Sequence, residues 1–329
     1  MTRHDAGPVA EVLCPGAGRR PGPVARVLEA RDVPLGGLRA MTVRRALPQR
    51  GLTTIGAWCF LDRFGPQEAV MRVEPHPHIG LQTVTWPLAG EVRHRDSLGS
   101  DVVLRRGALN LMTSGRGIAH SEYSVGDAPL PLDALQLWVA LPEEARHGAP
   151  SFETHPSLPS VALPASRGDD ATATVILGTL AGTTSPATAF TPIVGAELAL
   201  APRSTVTLPL DPAWEHGLVP LMGDVTVADR AGTLETPAAG GILYLGTDRD
   251  AVALSSRDGA TVMLLGGEPF PDDLVMWWNF VARDHDEIVA AQREWNARDP
   301  RFGEVAGHTA RIPAPPLPHA RLRPRRREA

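Results

Sequence analysis

Pro75-His76-Pro77-His78-Ile79-Gly80-Leu81-Gln82-Thr83-Val84-Thr85 sets two histidines two residues apart ahead of an apolar, β-branched run. On a strand, side chains alternate between faces, so His76 and His78 point the same way. Gly117-Ile118-Ala119-His120-Ser121-Glu122 has the same spacing, with one histidine and one carboxylate. Two such strands side by side present three imidazoles and a carboxylate to one point. The pattern predicts strands built around a metal site.

The surrounding texture agrees. Leu52 to Leu61, Leu81 to Trp86, Val102 to Leu104, Leu109 to Met112 and Leu135 to Leu141 are short apolar runs punctuated by Gly, Pro and Asp, and each reads as a strand. The texture returns in Leu198 to Leu200, Ser204 to Leu208, Asp224 to Ala228, Ile242 to Leu245 and Thr261 to Leu265. Regular spacing with few helical segments predicts an all-β sandwich or barrel. One helix is signalled, from about 285 to 297: Asp284 and Glu287 have capping-box spacing, and Ile288, Ala291, Gln292 and Trp295 recur with helical period.

The chain divides accordingly. Residues 1–23, rich in Gly, Pro and Arg, read as a flexible leader, and 24–141 as an N-terminal lobe carrying the metal. The Ser/Pro/Thr/Ala stretches of 142–190 suggest the join between lobes, and 191–282 form the C-terminal lobe. Residues 283–305 hold the helix and a packing segment, and 306–329 form a Pro/Arg-rich tail whose last residues, Arg321 to Ala329, read as a solvated terminus.

An internal repeat supports two lobes. Val73 to Val92 overlies Val206 to Val225 without a gap, matching Pro87-Leu88 with Pro220-Leu221 and Gly90 with Gly223. Gly107 to Thr113 likewise overlies Gly241 to Thr247, and the match runs on until Ser121 meets Ser255. In this overlay His76 falls on Pro209, His78 on Asp211, His120 on Leu254 and Glu122 on Ser256. One carboxylate survives from four ligands, so one metal per chain is expected, in the N-terminal lobe.

Composition excludes several classes. All 32 basic residues are arginine, so the P-loop lysine and the pyridoxal Schiff-base lysine are both absent. A net charge of -5 gives no general attraction to nucleic acid or anionic lipid, and direct nucleic-acid binding is not expected. No apolar stretch has the length of a membrane span, and the first residues have no signal-like apolar core, so a cytoplasmic location is expected. Cys14 and Cys59 are the two cysteines, too few for a cysteine zinc site, and a disulfide between them is not expected.

Three imidazoles and a carboxylate suit borderline first-row metals, iron(II) foremost, with zinc, nickel, copper or manganese as alternatives. Four protein ligands leave positions open on a six-coordinate ion. A closed structural zinc site is the competing reading of the same donors. Other residues carry weaker expectations. His94 reads as a polar strand residue, with a supporting role beside the metal as the alternative, and Gln82 as a strand-face residue. Asp62-Arg63-Phe64-Gly65-Pro66 reads as a turn with a local ion pair, Trp277 and Trp278 as core anchors, and Arg116 as a loop residue bonded to a carbonyl.

At these residues the chain resembles the pirin family of the cupin superfamily. The resemblance rests on Arg44-Arg45-Ala46-Leu47-Pro48, Asp62 to Pro66, His76 to Thr85, His94-Arg95-Asp96-Ser97-Leu98-Gly99, Gly115 to Glu122 and Leu135-Gln136-Leu137-Trp138-Val139. Gly266-Gly267-Glu268-Pro269 and Val275-Met276-Trp277-Trp278-Asn279-Phe280 extend it, so that it covers about residues 24 to 305. It implies an all-β bicupin: two face-to-face cupin β-barrels of the jelly-roll type with a short C-terminal helix. It also implies a single iron(II) on His76, His78, His120 and Glu122. Two departures touch the pocket wall. Leu109-Asn110-Leu111-Met112 stands where pirins commonly carry a tryptophan, and Ala140 where an asparagine is usual.

The resemblance implies two functions. One is a quercetin 2,3-dioxygenase activity, in which a flavonol loses a hydroxyl proton and reacts with dioxygen, opening its central ring and releasing carbon monoxide. Glu122 is then the expected catalytic base, since a carboxylate can both ligate and accept a proton. The other is a redox-responsive protein that binds a transcription factor or a metabolic enzyme. In either case the chain is expected to act as a monomer.

Overall fold

The structure, a computed structural model, describes residues 22–35 and 41–324. Cys14, most of the expected leader and Arg325, Arg326 and Arg327 lie outside that range. The N-terminal lobe has a seven-stranded antiparallel sheet in the order Ser151–His155, Leu109–Thr113, Leu81–Ala89, Leu130–Ala140, Trp58–Ala69, Met41–Leu47 and Arg31–Leu35. Against it lies a second sheet, Arg72–His78, Ile118–Ser124, Val92–Asp96 and Asp101–Leu104.

The C-terminal lobe repeats the wiring. Its larger sheet runs Pro23–Leu28, Ile242–Gly246, Glu215–Met222, Ala260–Gly267, Ile193–Leu200, Ala171–Leu180 and Ser160–Leu163. Its smaller sheet contains Ser204–Pro209, Ala251–Ser256 and Thr226–Asp229 in the places of Arg72–His78, Ile118–Ser124 and Val92–Asp96. The expected all-β, two-barrel architecture is therefore present. Each barrel takes an edge strand from outside its own run of sequence. Pro23–Leu28 pairs with Ile242–Gly246 of the C-terminal lobe, and Ser151–His155 pairs with Leu109–Thr113 of the N-terminal lobe. Residues 142–190, read from sequence as a join, thus hold several strands. The signal is weak there because alanine fills buried strand positions, as at Ala171 and Ala173 flanking exposed Thr172.

The two large sheets meet through one apolar core. Trp58, Trp86, Leu135 and Leu137 pack with Val219, Leu221, Met263 and Leu265 across the lobe boundary. Several buried polar groups find their partners across the same boundary, as most buried groups do. Trp58 Nε1 donates to the Val194 carbonyl (3.0 Å), and Trp86 Nε1 donates to Glu197 Oε2 (2.7 Å). The Asp62-Arg63-Phe64-Gly65-Pro66 segment is not a turn but part of the strand Trp58–Ala69. Its charges pair across strands, not locally: Arg45 holds Asp62 with two 2.7 Å bonds, and Arg63 holds Asp133 at 2.8 and 2.7 Å.

The helix, α1, spans His285–Asn296 with Asp284 as its N-cap, accepting from the Glu287 N–H at 2.9 Å. Ile288, Ala291 and Trp295 form its buried face, beside Phe280 and Phe302, with Trp277 and Trp278 packed on the same cluster. The tail ahead of Arg321 is docked, and the solvated reading is corrected at the first residues of the terminus, where Arg321 bonds Asp286 and Leu322 packs on the helix cluster. Trp295 Nε1 donates to the Ile312 carbonyl (2.8 Å), the Ala314 N–H donates to Asn296 Oδ1 (3.0 Å), and Leu317 and Leu322 pack on the helix cluster. Few but well-spaced apolar residues dock a segment whose prolines allow no regular structure. Among the described residues, no helix is long and apolar enough to cross a membrane.

Candidate metal centre

His76 and His78 lie on the strand Arg72–His78, which is an edge of its sheet. An edge is where Pro75 and Pro77, each lacking an N–H, are tolerated. The next strand, Ile118–Ser124, places His120 opposite His76 and Ile118 opposite His78. The register slips between His120 and Glu122, so Glu122 stands opposite Val73. On its other side the strand Val92–Asp96 brings His94 opposite Glu122 and Asp96 opposite His120. Gly80 makes the turn after His78 possible: its φ is +69°, and a Cβ there would lie 2.1 Å from the Val281 carbonyl oxygen.

The structure brings the three predicted imidazoles together. Ring centroids are 4.4 Å apart for His76 and His120, 5.0 Å for His78 and His120, and 5.1 Å for His76 and His78. Their ligand nitrogens all fall within 4.8 Å of one another. Glu122 enters through an overlapping group, with ligand atoms of His94, His120 and Glu122 also within 4.8 Å. All these residues are buried; His76 and Glu122 are the least so, at 6% and 7% relative exposure.

Hydrogen bonds fix which ring nitrogen of each histidine is free. His76 Nδ1 donates to the Glu74 carbonyl at 2.9 Å, and His78 Nδ1 donates to the Asn279 carbonyl at 3.0 Å. His120 Nδ1 faces His94 Nδ1 at 3.4 Å, and His94 Nε2 faces Asp96 Oδ2 at 3.1 Å. With Nδ1 carrying the proton, each ligand histidine keeps a bare Nε2. His78 Nε2 and His120 Nε2 then stand 3.1 Å apart with no hydrogen to share. Two nitrogens bound at ~2.1 Å to one first-row ion, at a right angle, sit about 3.0 Å apart. The donor set fits a metal.

Electrostatics point the same way. Burial lowers the His76 pKa to about 4, with a smaller contribution from His94. Burial also pushes His78 and His120 well below the usual histidine range, reinforced by the neighbouring imidazoles. Neutral imidazole is the form that ligates. Burial raises the Glu122 carboxyl, opposed by His94 and by a hydrogen bond from Thr85. Thr85 Oγ1 lies 3.1 Å from Glu122 Oε1 and 3.0 Å from Gln136 Oε1. A single hydroxyl serves both states of the acid: it donates to ionised Glu122, or turns to Gln136 and accepts from protonated Glu122.

Sequence reasoning gave too little weight to His94 and missed Thr85 and the Asn279 carbonyl. His94 is buried at 3% exposure and faces the ligands. Its signal was available, because His94 and Asp96 are a third pair at the spacing of His76 with His78. Thr85 and the Asn279 carbonyl had no local signal. Gln82 lies on the opposite face, bonding Thr113 Oγ1 and the Thr188 carbonyl. Arg116 is exposed and lines a cavity of about 120 Å³ with Arg146, His147, Glu287 and Arg301; its backbone N–H, not its guanidinium, bonds the Gly148 carbonyl.

The C-terminal barrel holds the same positions with other side chains. The sequence overlay pointed to Pro209 and Asp211, but strand pairing shifts the match. Val206 stands opposite Leu254 as His76 stands opposite His120, and Leu208 opposite Val252 as His78 opposite Ile118. A longer loop between Pro209 and Glu215 accounts for the slip. Val206, Leu208 and Leu254 belong to an apolar cluster that fills this barrel. Among the described residues, both groupings of metal-ligating side chains lie in the N-terminal lobe.

Comparison with known proteins gives one family-model match in each lobe. The sequence profile described as Pirin matches residues 40–139, and that described as the Pirin C-terminal cupin domain matches residues 195–303. A proposed quercetin 2,3-dioxygenase of Pseudomonas aeruginosa is 46% identical over 294 residues, covering 88% of this chain and 89% of that protein. A pirin-like protein of Caulobacter vibrioides is 34% identical over 297 residues, covering 88% and 98%. The crystal structure of a quercetin 2,3-dioxygenase from Acinetobacter baumannii superposes with a TM-score of 0.81 at 38% identity, covering 90% of this chain and 96% of that one.

Proposed function

The chain belongs to the pirin family, and from that premise we propose that it is a metal-dependent dioxygenase of the quercetin 2,3-dioxygenase type. In this reading His76, His78, His120 and Glu122 hold one iron(II) ion, and the substrates are a flavonol-like aromatic and dioxygen. The observation that carries it is the convergence of three buried imidazoles whose ligand nitrogens lie within 4.8 Å of one another, with His76 and His78 each committing Nδ1 to a backbone carbonyl. The similarity to the P. aeruginosa and A. baumannii proteins supports the choice of reaction.

Iron(II) held there supplies the one-electron chemistry toward dioxygen that no side chain offers. The protein's own part is binding and proton handling. Trp138 stacks on Phe60 with centroids 4.0 Å apart and meets His78 edge-on at 5.2 Å, a flat apolar wall beside the ligands. Trp138 Nε1 and Asn110 Oδ1 are buried without a hydrogen-bond partner in the protein. They offer one donor and one acceptor to a polar aromatic. Glu122 takes the substrate hydroxyl proton at its carboxylate, and Thr85 turns its own hydroxyl toward Gln136 to accommodate the new O–H.

The test is anaerobic loading with iron(II), then quercetin, then air. Substrate consumption with evolution of carbon monoxide is expected. A fully metallated protein that gives neither overturns the proposal.

A second reading is favoured by one feature. The strand Ile118–Ser124 turns His120 and Glu122 inward, while Ser121 and Tyr123 on its other face meet His308 of the C-terminal segment at 3.0 and 3.4 Å. A change in charge at the metal therefore acts on a strand that also holds an outer surface, as a redox-responsive binder of a transcription factor or metabolic enzyme requires. Equal capture of partners by oxidised and reduced protein removes this reading.

A further inference from the structure

His94 is built into the centre more firmly than a polar strand residue needs to be. Its ring stacks on Phe152 with centroids 4.5 Å apart and planes 13° from parallel. Its Nε2 faces Asp96 Oδ2 at 3.1 Å. Asp96 is itself held, because Oδ1 accepts from the N–H groups of Leu98 (2.9 Å) and Ser100 (3.0 Å). Asp96 and His94 are 1% and 3% exposed.

This arrangement decides a tautomer. A carboxylate only accepts, so the His94 proton sits on Nε2 and its Nδ1 is an acceptor. The hydrogen in the 3.4 Å contact between His94 Nδ1 and His120 Nδ1 must then come from His120. His120 Nε2 is left bare. From this we infer that His94 is a positioning residue for the metal centre, with Asp96 fixing His94, and His94 fixing both the ring and the tautomer of His120. The inference rests on the reading of the cluster as a metal site, and it adds a residue outside the ligand set.

The internal copy supports it independently. In the C-terminal barrel Val227 stands opposite Leu254, as Asp96 stands opposite His120, and Val225 precedes it by two residues, as His94 precedes Asp96. Both valines belong to the apolar fill of that barrel. Where the ligand histidine is replaced by leucine, the two residues behind it are replaced as well. A merely structural His–Asp pair has no reason to disappear with the ligands.

Nickel(II), an air-stable probe, tests the inference on the full chain by competition against a chromogenic chelator. His94→Phe keeps the stack on Phe152 but offers no acceptor, and Asp96→Asn keeps all packing but reverses the bond to His94. Loss of such an orienting partner weakens metal affinity by about 10–100-fold, and that is expected for both variants. His94→Asn places Oδ1 near the lost Nδ1 and should stay within roughly threefold of wild type. Melting of the metal-free proteins reports folding separately; if His94→Phe does not fold, Asp96→Asn and His94→Asn decide. Wild-type affinity in folded His94→Phe or in Asp96→Asn overturns the inference, as does equal loss in His94→Asn and His94→Phe. Wild-type protein that takes no nickel fails differently, removing the metal site itself.

Discussion

His78 Nε2 and His120 Nε2 oppose each other at 3.1 Å while their Nδ1 protons are engaged with Asn279 and His94. Two lone pairs at that distance repel, and burial keeps both rings neutral. A cation between them turns the repulsion into two bonds. Metal should therefore stabilise the native fold by mass action, about 4 kcal/mol at 1,000 times Kd. A rise in Tm on adding iron(II) anaerobically, reversed by chelator, is the expected result, and His78→Ala should show no such rise. A metal-dependent shift surviving in His78→Ala would contradict the ligand assignment.

Glu122 combines a raised pKa with a neighbour that can follow its proton. Glu122→Gln keeps the shape and the Thr85 contact but cannot take a proton. Turnover of a flavonol should fall by roughly 10²–10⁴-fold, the usual contribution of a general base. Thr85→Val, which removes one hydrogen bond of ~1.4 kcal/mol, should cost about tenfold. Rates corrected for bound metal decide between loss of the base and loss of the ion.

The pairs His76 with His78 and His120 with Glu122 were legible because their signal is local: two residues apart on a strand means one face, and His76, His78 and His120 then needed only one pairing to converge. The fold was legible for a similar reason, since Leu81–Ala89, Leu109–Thr113 and Leu130–Ala140 carry apolar runs bounded by turn residues. What stayed hidden was non-local. Nothing near Pro23–Leu28 announces that it pairs with Ile242–Gly246, more than two hundred residues on. The Asp62 and Arg63 charges invited a local pairing, whereas their partners Arg45 and Asp133 come from neighbouring strands. His94 was undervalued because its flanking arginines, Arg93 and Arg95, make the segment look like a solvated edge, and both of those do point outward to Asp101.

His216 gives the fold a pH dependence away from the metal. Burial lowers its pKa to about 4, against a small opposing effect of Asp211. Between the ordinary value of about 6.5 and 4, the unfolded chain binds a proton there and the native chain does not. Stability is therefore full above about pH 6.5 and declines as pH falls toward 4, by at most a few kcal/mol from this group. Denaturant unfolding of the metal-free protein across that range should show a shallower decline in His216→Gln than in wild type. Parallel curves would exclude the assignment.

Trp58 joins the lobes by packing and by one hydrogen bond, at 1% exposure, with its Nε1 on the Val194 carbonyl. Gly195 is the matching feature on the other side: a Cβ there would lie 2.7 Å from Trp58 Cζ2. Trp58→Ala should cost about 3–5 kcal/mol, the range for large aromatic truncations in a core. Gly195→Ala should be destabilising in the wild-type background and much less so beside Trp58→Ala, because the cavity admits the methyl group. A double-mutant cycle by urea unfolding measures that coupling. Additive effects would show that the two residues do not share the contact.

His308 ties the C-terminal segment to the back of a ligand strand, through Ser121 Oγ at 3.0 Å and Glu74 Oε2 at 3.3 Å. Beyond it, the Ile312 N–H donates to the Pro75 carbonyl at 2.8 Å and covers the edge of the strand that carries His76 and His78. Removing the imidazole deletes three polar contacts, to Ser121, Tyr123 and Glu74, and the edge-on packing against Tyr123, while the apolar anchors Leu317 and Leu322 remain. His308→Ala should therefore free residues 304 to 312 locally, at a cost to global stability of about 1–2 kcal/mol. Hydrogen exchange at the Ile312 amide should accelerate, and cleavage after Arg311 by trypsin should appear before global unfolding. Unchanged exchange at Ile312 would mean that the apolar anchors and the bonds to Pro75, Trp295 and Asn296 hold the segment without His308.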